Sequence, residues 1–208
     1  MKRLEKIKNI VLLGGGGHCR SCIDVINSSK FYKVAGIIDN DINYKSKFPN
    51  IPFLGSDTDI PRIFEAFKYA LVTVGQIKNA KIRKELFELI EKYSICSPVI
   101  QSKHSLVSND SKIAPGSIIM HGAIVNSGAL IGKNVIVNSM ALVEHDTSIG
   151  NHCHISTGVK INGGVKIGNE CFIGSGAIIY PEINIGSGSV IAAGKIVKKN
   201  IGKNEILR

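Results

Sequence analysis

Aliphatic residues recur at every sixth position across the second half of the chain. The sixteen positions that are six apart from 107 to 197 all carry valine or isoleucine: Val107, Ile113, Ile119, Val125, Ile131, Val137, Val143, Ile149, Ile155, Ile161, Ile167, Ile173, Ile179, Ile185, Ile191 and Val197. A usually small residue stands four positions after each aliphatic, and glycine or asparagine often follows the aliphatic directly. A helix cannot keep this period on one face, because six residues advance it by about 600°. A short strand and a tight turn can, with the aliphatic side chain inward and glycine or asparagine in the turn.

Three such hexads close one coil of 18 residues, so the repeat predicts a prism of stacked parallel strands, with layers about 4.8 Å apart. We assign it to residues 98–208. Cys153 and Cys171 occupy small inward positions one coil apart. Because free cysteine is often buried, we expect both to be core thiols.

The first half of the chain alternates apolar runs with helical patterns. Strands are predicted at 6–14, 34–38 and 70–75, and helices from the Gly-rich turn to about 28 and from about 79 to 92. This alternation is typical of a small, Rossmann-like parallel α/β domain, which we assign to residues 1–97.

The turn Gly14-Gly15-Gly16-Gly17-His18 allows two interpretations. The dinucleotide-binding fingerprint requires a third glycine at position 19, which is Cys19. Consecutive glycines still let the backbone approach a ligand, and the N-terminus of the following helix favours an anion, as in a nucleotide-sugar diphosphate. The alternative is a tight turn without a ligand.

Composition narrows the class of protein. The chain begins with charged residues and lacks both an apolar signal segment and any apolar run of about 18 residues, so we expect a cytoplasmic protein that does not insert into membranes. The net charge of +10 fits either a lysine-rich solvated surface or attraction of polyanions such as CoA. Nucleic acid is not an expected partner, because no dense basic run with interleaved aromatic residues is present.

One histidine has a distinctive setting. Only six acidic residues occur within 101–208, and two of them, Glu144 and Asp146, bracket His145. A neighbouring carboxylate raises imidazole basicity and orients the ring, as a general base requires. The spacing of the histidines does not suit a three-histidine metal centre, so no metal is predicted.

The two halves together resemble one family, the bacterial hexapeptide-repeat sugar acetyltransferases, which include sialic acid O-acetyltransferases and UDP-4-amino-sugar N-acetyltransferases of the bacillosamine pathway. The segments that carry the resemblance are Gly14–His18, Asp39, Val72–Gly75, Val137–Asp146 and Ile149–Ser156. The resemblance implies a left-handed β-helix, acetyl-CoA as co-substrate and a homotrimer. The chain departs from the family at 200–208, where relatives usually carry a Gly-x-Pro-Ala-Lys segment near CoA.

The resemblance also implies roles for individual residues. It makes His145 the catalytic base with Asp146 beside it, and Asn138 a substrate-binding residue that helps to shape the site. It assigns acetyl-CoA contacts to His154, Ser175, Ala193 and Gly194. The implied sugar-nucleotide contacts are Gly16, Gly17, His18, Asp39, Asn40 and Gly75.

The predicted reaction is direct transfer of an acetyl group from acetyl-CoA to the amine of a UDP-4-amino-sugar, without a covalent enzyme intermediate. O-acetylation of sialic acid or a related surface-polysaccharide sugar is the alternative with the same base and donor. A trimeric scaffold that binds acetyl-CoA without turnover is the alternative from another class.

Overall fold

The N-terminal domain is a four-stranded parallel sheet between helices. The computed structural model describes residues 7–41, 48–77 and 79–208. The elements of this domain are β1 (Lys8–Leu13), α1 (Gly17–Ser29), β2 (Tyr32–Ile38), β3 (Phe53–Gly55), a 3-10 turn (Asp57–Asp59), α2 (Ile60–Ala66), β4 (Ala70–Val72) and α3 (Lys81–Lys92). The strand order is β3-β2-β1-β4, with every pairing parallel.

Alternation along β1 decides which helix covers which face. Ile10 and Leu12 pack with the buried residues of α1, whereas Val11 and Leu13 pack with those of α2 and α3. Successive side chains of a strand point to opposite faces, so a continuous apolar run is the expected sequence of a strand covered on both sides.

The predicted bounds of these elements need correction. The first strand spans Lys8–Leu13 rather than 6–14, and Lys6 lies outside the described residues. The strand predicted at 70–75 ends at Val72, because the chain then leaves the sheet to line a cavity. The following helix begins at Lys81 rather than at about 79.

The C-terminal domain is a left-handed β-helix whose three sheets each take one two-residue strand from every coil. Sheet A contains β5 (Ile100–Gln101), β8 (Ile118–Ile119), β11 (Ile136–Val137), β14 (His154–Ile155), β17 (Phe172–Ile173), β20 (Val190–Ile191) and β22 (Ile206–Leu207). Sheet B contains β6 (Leu106–Val107), β9 (Ile124–Val125), β12 (Leu142–Val143), β15 (Lys160–Ile161), β18 (Ile178–Ile179) and β21 (Ile196–Val197). Sheet C contains β7 (Lys112–Ile113), β10 (Leu130–Ile131), β13 (Ser148–Ile149), β16 (Lys166–Ile167) and β19 (Asn184–Ile185).

The predicted 18-residue register is confirmed. Ile136, for example, pairs with Ile118 on one side and with His154 on the other. From β6 onwards, the second residue of each strand points inward and builds a continuous core, whereas Gln101 of β5 is exposed. Cys153 and Cys171 are both fully buried in that core, as predicted.

The N-terminal domain covers sheet A near its first coils. The outward side chains of Ile100, Ile118 and Ile136 are buried in the same cluster as Ile10, Leu12 and the inner face of α1. The two domains therefore share one hydrophobic cluster. Within the ranges that the structure describes, no helix has the length and apolar character needed to cross a membrane.

Candidate active site

The Gly-rich turn is shaped by contact with the loop after β4. Gly14 has a φ of +103°, and a Cβ there would lie 2.4 Å from Cγ2 of Val74. Both the backbone conformation and the space therefore require glycine. Asp39, at the end of β2, accepts a hydrogen bond from the Gly15 amide with one carboxylate oxygen and from the Asp41 amide, at 2.7 Å, with the other. This carboxylate holds the turn in place.

A cavity of about 600 Å³ opens beside this turn. Of the seven residues predicted to bind the substrate, it brings together six, all except Asn138, and it also reaches His154 of the β-helix. Its lining comprises Gly14, Gly16, Gly17, His18, Ile38, Asp39, Asn40, Asp57, Thr73, Val74, Gly75, Gln76, Ile77, Ile82, Leu86 and His154.

Sequence reasoning missed two polar residues of this lining. Asp57 forms a reciprocal pair with Asn40, whose amide donates to the Asp57 carboxylate at 2.7 Å and whose oxygen accepts from the Asp57 backbone amide at 3.0 Å. Gln76 donates from its side chain to the carbonyl of Cys171 at 3.3 Å. Neither had a signal along the chain, because the segment from β3 to α2 shows no clear periodicity and the partner of Gln76 is 95 residues away.

His18 in the first turn of α1 is held in its neutral form. Burial lowers its pKa to about 3, helped by the nearby charge of Arg83 and by His154. Its Nε2 atom is buried and has no hydrogen-bond partner in the structure. The helix starts without a side-chain cap or an acidic residue in its first turn, and Gly16, Gly17 and His18 at this end line the cavity. An uncapped helix N-terminus of this kind favours an anion.

A buried guanidinium stands behind the cavity. Arg83 on α3 is 1% exposed and donates to the carbonyls of Val72 and Val74, at 3.0 and 2.9 Å, and to that of Asn134 at 3.3 Å. Burial lowers its pKa to about 10, which leaves it charged at neutral pH. Its positive charge therefore adds to the preference of the cavity for an anion.

His154 joins the cavity to a corner of the β-helix. Its Nδ1 lies 2.7 Å from the carbonyl oxygen of Gln76, and because a carbonyl only accepts, Nδ1 carries the hydrogen. Its Nε2 then accepts from the Asn138 amide, 3.1 Å away. Burial lowers the pKa of His154 to about 4, so the ring is neutral at physiological pH.

The residues predicted to contact acetyl-CoA lie along the corner between sheets A and B. The turns there stack one above another, as shown by the hydrogen bond from the Gly194 amide to the Ser175 carbonyl at 2.8 Å. The Ser175 hydroxyl lies 2.8 Å from that of Ser156. Ser175, Ala193 and Gly194 are exposed, and Asn138 belongs to a lower turn of the same corner.

His145 lies on the corner between sheets B and C, in the turn that joins β12 to β13. Its Nδ1 donates to Asp146 Oδ2 at 2.9 Å, and this hydrogen bond is the main reason its pKa is raised. Glu144 instead accepts from the Asn126 amide at 2.8 Å. The pair therefore consists of His145 and Asp146, and it leaves His145 Nε2 available to take a proton.

The predicted site is thus divided on a single chain. The His145 corner has its own cavity of about 630 Å³, lined by Glu144, His145, Asp146, Asn162, Gly163, Gly164, Pro181 and Glu182. None of these residues lines the cavity of the N-terminal domain. Among the residues that the structure describes, no group of three or more His, Cys, Asp or Glu is arranged to hold a metal ion.

Comparison with known proteins assigns both domains. Residues 9–90 match the family described as PglD N-terminal domain, and residues 164–199 match bacterial transferase hexapeptide (six repeats).

Solved structures match almost the whole chain. The acetyltransferase domain of PglB from Neisseria gonorrhoeae FA1090, in complex with acetyl coenzyme A, is 25% identical over 97% of this chain and 96% of that one, with a TM-score of 0.87. PerB from Caulobacter crescentus, in complex with CoA and GDP-perosamine, is 26% identical over 97% and 94%, also with a TM-score of 0.87. WeeI from Acinetobacter baumannii AYE, at 21% identity and a TM-score of 0.73, shares the fold over 95% of this chain and 94% of that one.

One family match lies in each domain, and the two acetyltransferase neighbours share both domains in the same order along nearly their full length. The chain therefore combines a PglD-type N-terminal domain with a bacterial transferase hexapeptide repeat, and along nearly its whole length it is similar to sugar acetyltransferases.

Proposed function

We propose that the protein transfers the acetyl group of acetyl-CoA to the amine of a nucleotide-linked 4-amino-sugar, with a UDP-sugar as the expected acceptor. The observation that carries the proposal is the cavity of the N-terminal domain, where a glycine turn, an uncapped helix N-terminus and the buried charge of Arg83 converge. Such a site favours the diphosphate of a nucleotide sugar. PerB, which has the same fold, was crystallised with a GDP-linked sugar, so guanosine belongs among the nucleotides to be tested.

His145 is the proposed general base. The amine nitrogen attacks the thioester carbonyl and forms the C–N bond, and His145 Nε2 takes the proton that the nitrogen loses. The tetrahedral intermediate then collapses, the C–S bond breaks, and CoA leaves as the thiolate. Asp146 keeps the proton on Nδ1 and stabilises the imidazolium that forms.

A homotrimer would unite the two half-sites. The corner with His145 and the corner with Asn138, Ser175 and Gly194 flank sheet B. The outward positions of this sheet are mainly apolar: Leu106, Ile124, Leu142, Lys160, Ile178 and Ile196. Leu106 is 68% exposed and Ile196 52% exposed in the isolated chain, so burying this face against a neighbouring chain removes apolar surface from water. We propose that acetyl-CoA binds between His145 of one chain and the Ser175–Gly194 corner of the next.

The test follows CoA release and acetylated product by mass spectrometry. The acceptor panel contains UDP- and GDP-linked 4-amino-4,6-dideoxy-sugars and free and CMP-linked sialic acids. We expect turnover on a UDP-4-amino-sugar, and a loss of at least about 100-fold in His145→Ala, since general-base catalysis typically contributes that much. His104→Ala, which changes an exposed histidine in another turn of the β-helix, is the matched control and should keep full activity.

Each other outcome identifies an alternative. Turnover on GDP-sugars alone would show that the acceptor is linked to GDP rather than to UDP. Turnover on sialic acids alone would establish O-acetylation. Binding of acetyl-CoA without turnover on any acceptor supports the scaffold. Full activity of His145→Ala removes His145 from the mechanism.

A further inference from the structure

The imidazole of His145 lies against a glycine of the next coil. Gly163 follows His145 by 18 residues and occupies the equivalent place one coil on. A Cβ at Gly163 would lie 2.6 Å from Nε2 of His145, 2.7 Å from Cε1 and 3.3 Å from Cδ2. The first two distances are shorter than any ordinary contact, so the ring occupies the space that a side chain at 163 would need.

The backbone of the turn does not explain this glycine. The φ of Gly163 is outside the left-handed region, so its conformation suits any residue. The corresponding first turn position carries a side chain at every other hexad between 109 and 193: Asn109, Pro115, His121, Ser127, Lys133, Ser139, His145, Asn151, Thr157, Asn169, Ser175, Pro181, Ser187 and Ala193. Glycine is therefore an exception at this position, and it occurs directly above His145.

A second glycine leaves room for the partner of His145. Gly128 lies one coil before Asp146, and a Cβ there would lie 2.7 Å from Asp146 Oδ1. The turn of Gly128 itself needs glycine, since its φ is +70°. Gly163 is thus the position at which the space requirement can be tested without backbone strain.

We infer that Gly163 is a positioning residue. Because it has no side chain, it leaves a space, here called the seat, in which the His145 imidazole lies and stays in contact with Asp146. Its importance for catalysis rests on the proposed function, whereas its effect on the ring does not. A methyl group at 163 would lie 2.6 Å from Nε2, so the ring must move by about 1 Å to reach an ordinary contact distance. A movement of this size breaks the hydrogen bond of 2.9 Å between Nδ1 and Asp146 Oδ2.

Gly163→Ala tests the inference through the titration of the His145 ring by NMR, with the His145 signals assigned from the spectrum of His145→Ala. Asp146 raises the pKa of His145 through their hydrogen bond. We therefore expect Gly163→Ala to lower that pKa towards the ordinary histidine value. We also expect acetyl transfer to the best acceptor of the panel to fall about 10- to 100-fold, since a misplacement of about 1 Å can cost 100-fold. A wild-type pKa together with wild-type activity would overturn the inference.

A stability cycle covers the case in which Gly163→Ala folds poorly. The alanine should lower the unfolding midpoint in the wild type and change it little in the His145→Ala background, where the ring is absent. If Gly163→Ala lowers the unfolding midpoint equally in both backgrounds, the space at Gly163 is not needed for the His145 ring. Gly164→Ala is the matched control: with a φ of +68° it strains the same turn, but its Cβ points at Glu182, so it should lower stability and leave the His145 pKa unchanged.

The two proposals fail in distinguishable ways. If His145→Ala retains full activity, the proposed base is wrong, yet the pKa and the stability cycle still report whether Gly163 seats the ring. If His145→Ala is inactive and Gly163→Ala behaves as the wild type in every readout, the base stands and the seat does not.

Discussion

At the scale of single residues, the pair formed by His145 and Asp146 sets the pH dependence of the proposed reaction. A general base works only when it is deprotonated, so the rate should rise with pH through the pKa of His145 and then level off. Asp146 raises that pKa, first by its hydrogen bond and then by its charge. The acidic limb of the wild-type profile should therefore lie at a higher pH than that of a histidine without a carboxylate partner.

Asp146→Asn should move this limb to lower pH and also reduce the plateau rate, because the imidazolium loses its stabilising charge. The measurement is kcat/KM against pH with acetyl-CoA saturating. Glu144→Gln is the matched control, since Glu144 is bonded to Asn126 and contributes only a weaker charge effect. A profile of Asp146→Asn that coincides with the wild type would contradict the pairing.

The sequence singled out His145 because two of the few acids of the β-helix bracket it. The pattern of acids alone did not choose between them, and the choice of Asp146 came from the family resemblance. The choice depends on backbone geometry: Asp146 has a φ of +59°, and its carboxylate reaches His145, while Glu144 faces Asn126 one coil away. The sequence alone did not single out Gly163, because its closeness to the His145 ring arises only when the two residues stack in neighbouring coils.

At the scale of elements, the β-helix was predictable almost residue by residue, since each hexad is one strand and one turn and the signal is local. The N-terminal domain was less so. The sequence predicted β1, α1, β2, β4 and α3, but not β3, the 3-10 turn or α2, which bring Asp57 to the cavity. Short elements such as the three-residue β3 are defined by tertiary pairing, which a single sequence does not reveal.

The contact between the loop after β4 and strand β14, where His154 bonds to the Gln76 carbonyl, should make the stability of the protein sensitive to acid. Burial lowers the pKa of His154 to about 4, below its value in the unfolded chain. As the pH falls below about 6.5, His154 takes up a proton in the unfolded chain but stays neutral in the native protein. The free energy of unfolding therefore decreases until the pH reaches the native pKa of His154. A shift of this size corresponds to about 3 kcal/mol.

This loss is checked by urea unfolding between pH 7.5 and 4.5. The free energy of unfolding should fall with acidity in the wild type, and the slope should flatten in His154→Gln, which cannot take up the proton. His104→Ala, an exposed histidine, is the control and should keep the wild-type slope. An unchanged slope in His154→Gln would show that His154 does not carry the effect.

At the scale of the whole molecule, the two half-sites impose a condition on assembly. His145 and the Ser175–Gly194 corner lie on either side of sheet B, so a copy of the chain packed on this face can bring one chain's base to the other chain's corner. A closed ring of three chains satisfies every such contact. With 22.4 kDa per chain, the expected mass is about 67 kDa, three times that value.

Complementation between inactive chains tests this arrangement directly. His145→Ala removes the base, and Gly194→Trp blocks the corner proposed for acetyl-CoA, so each homotrimer should be inactive. In trimers assembled from both chains, some interfaces combine an intact His145 with an intact Gly194, and part of the activity should return. If the site lies within one chain, every site of a mixed trimer retains one defect and no activity returns.

Leu142→Glu supplies the second arm, because a charge on the partly buried outward side of sheet B should yield monomers and abolish turnover together. A monomeric and fully active Leu142→Glu variant would exclude a site shared between chains.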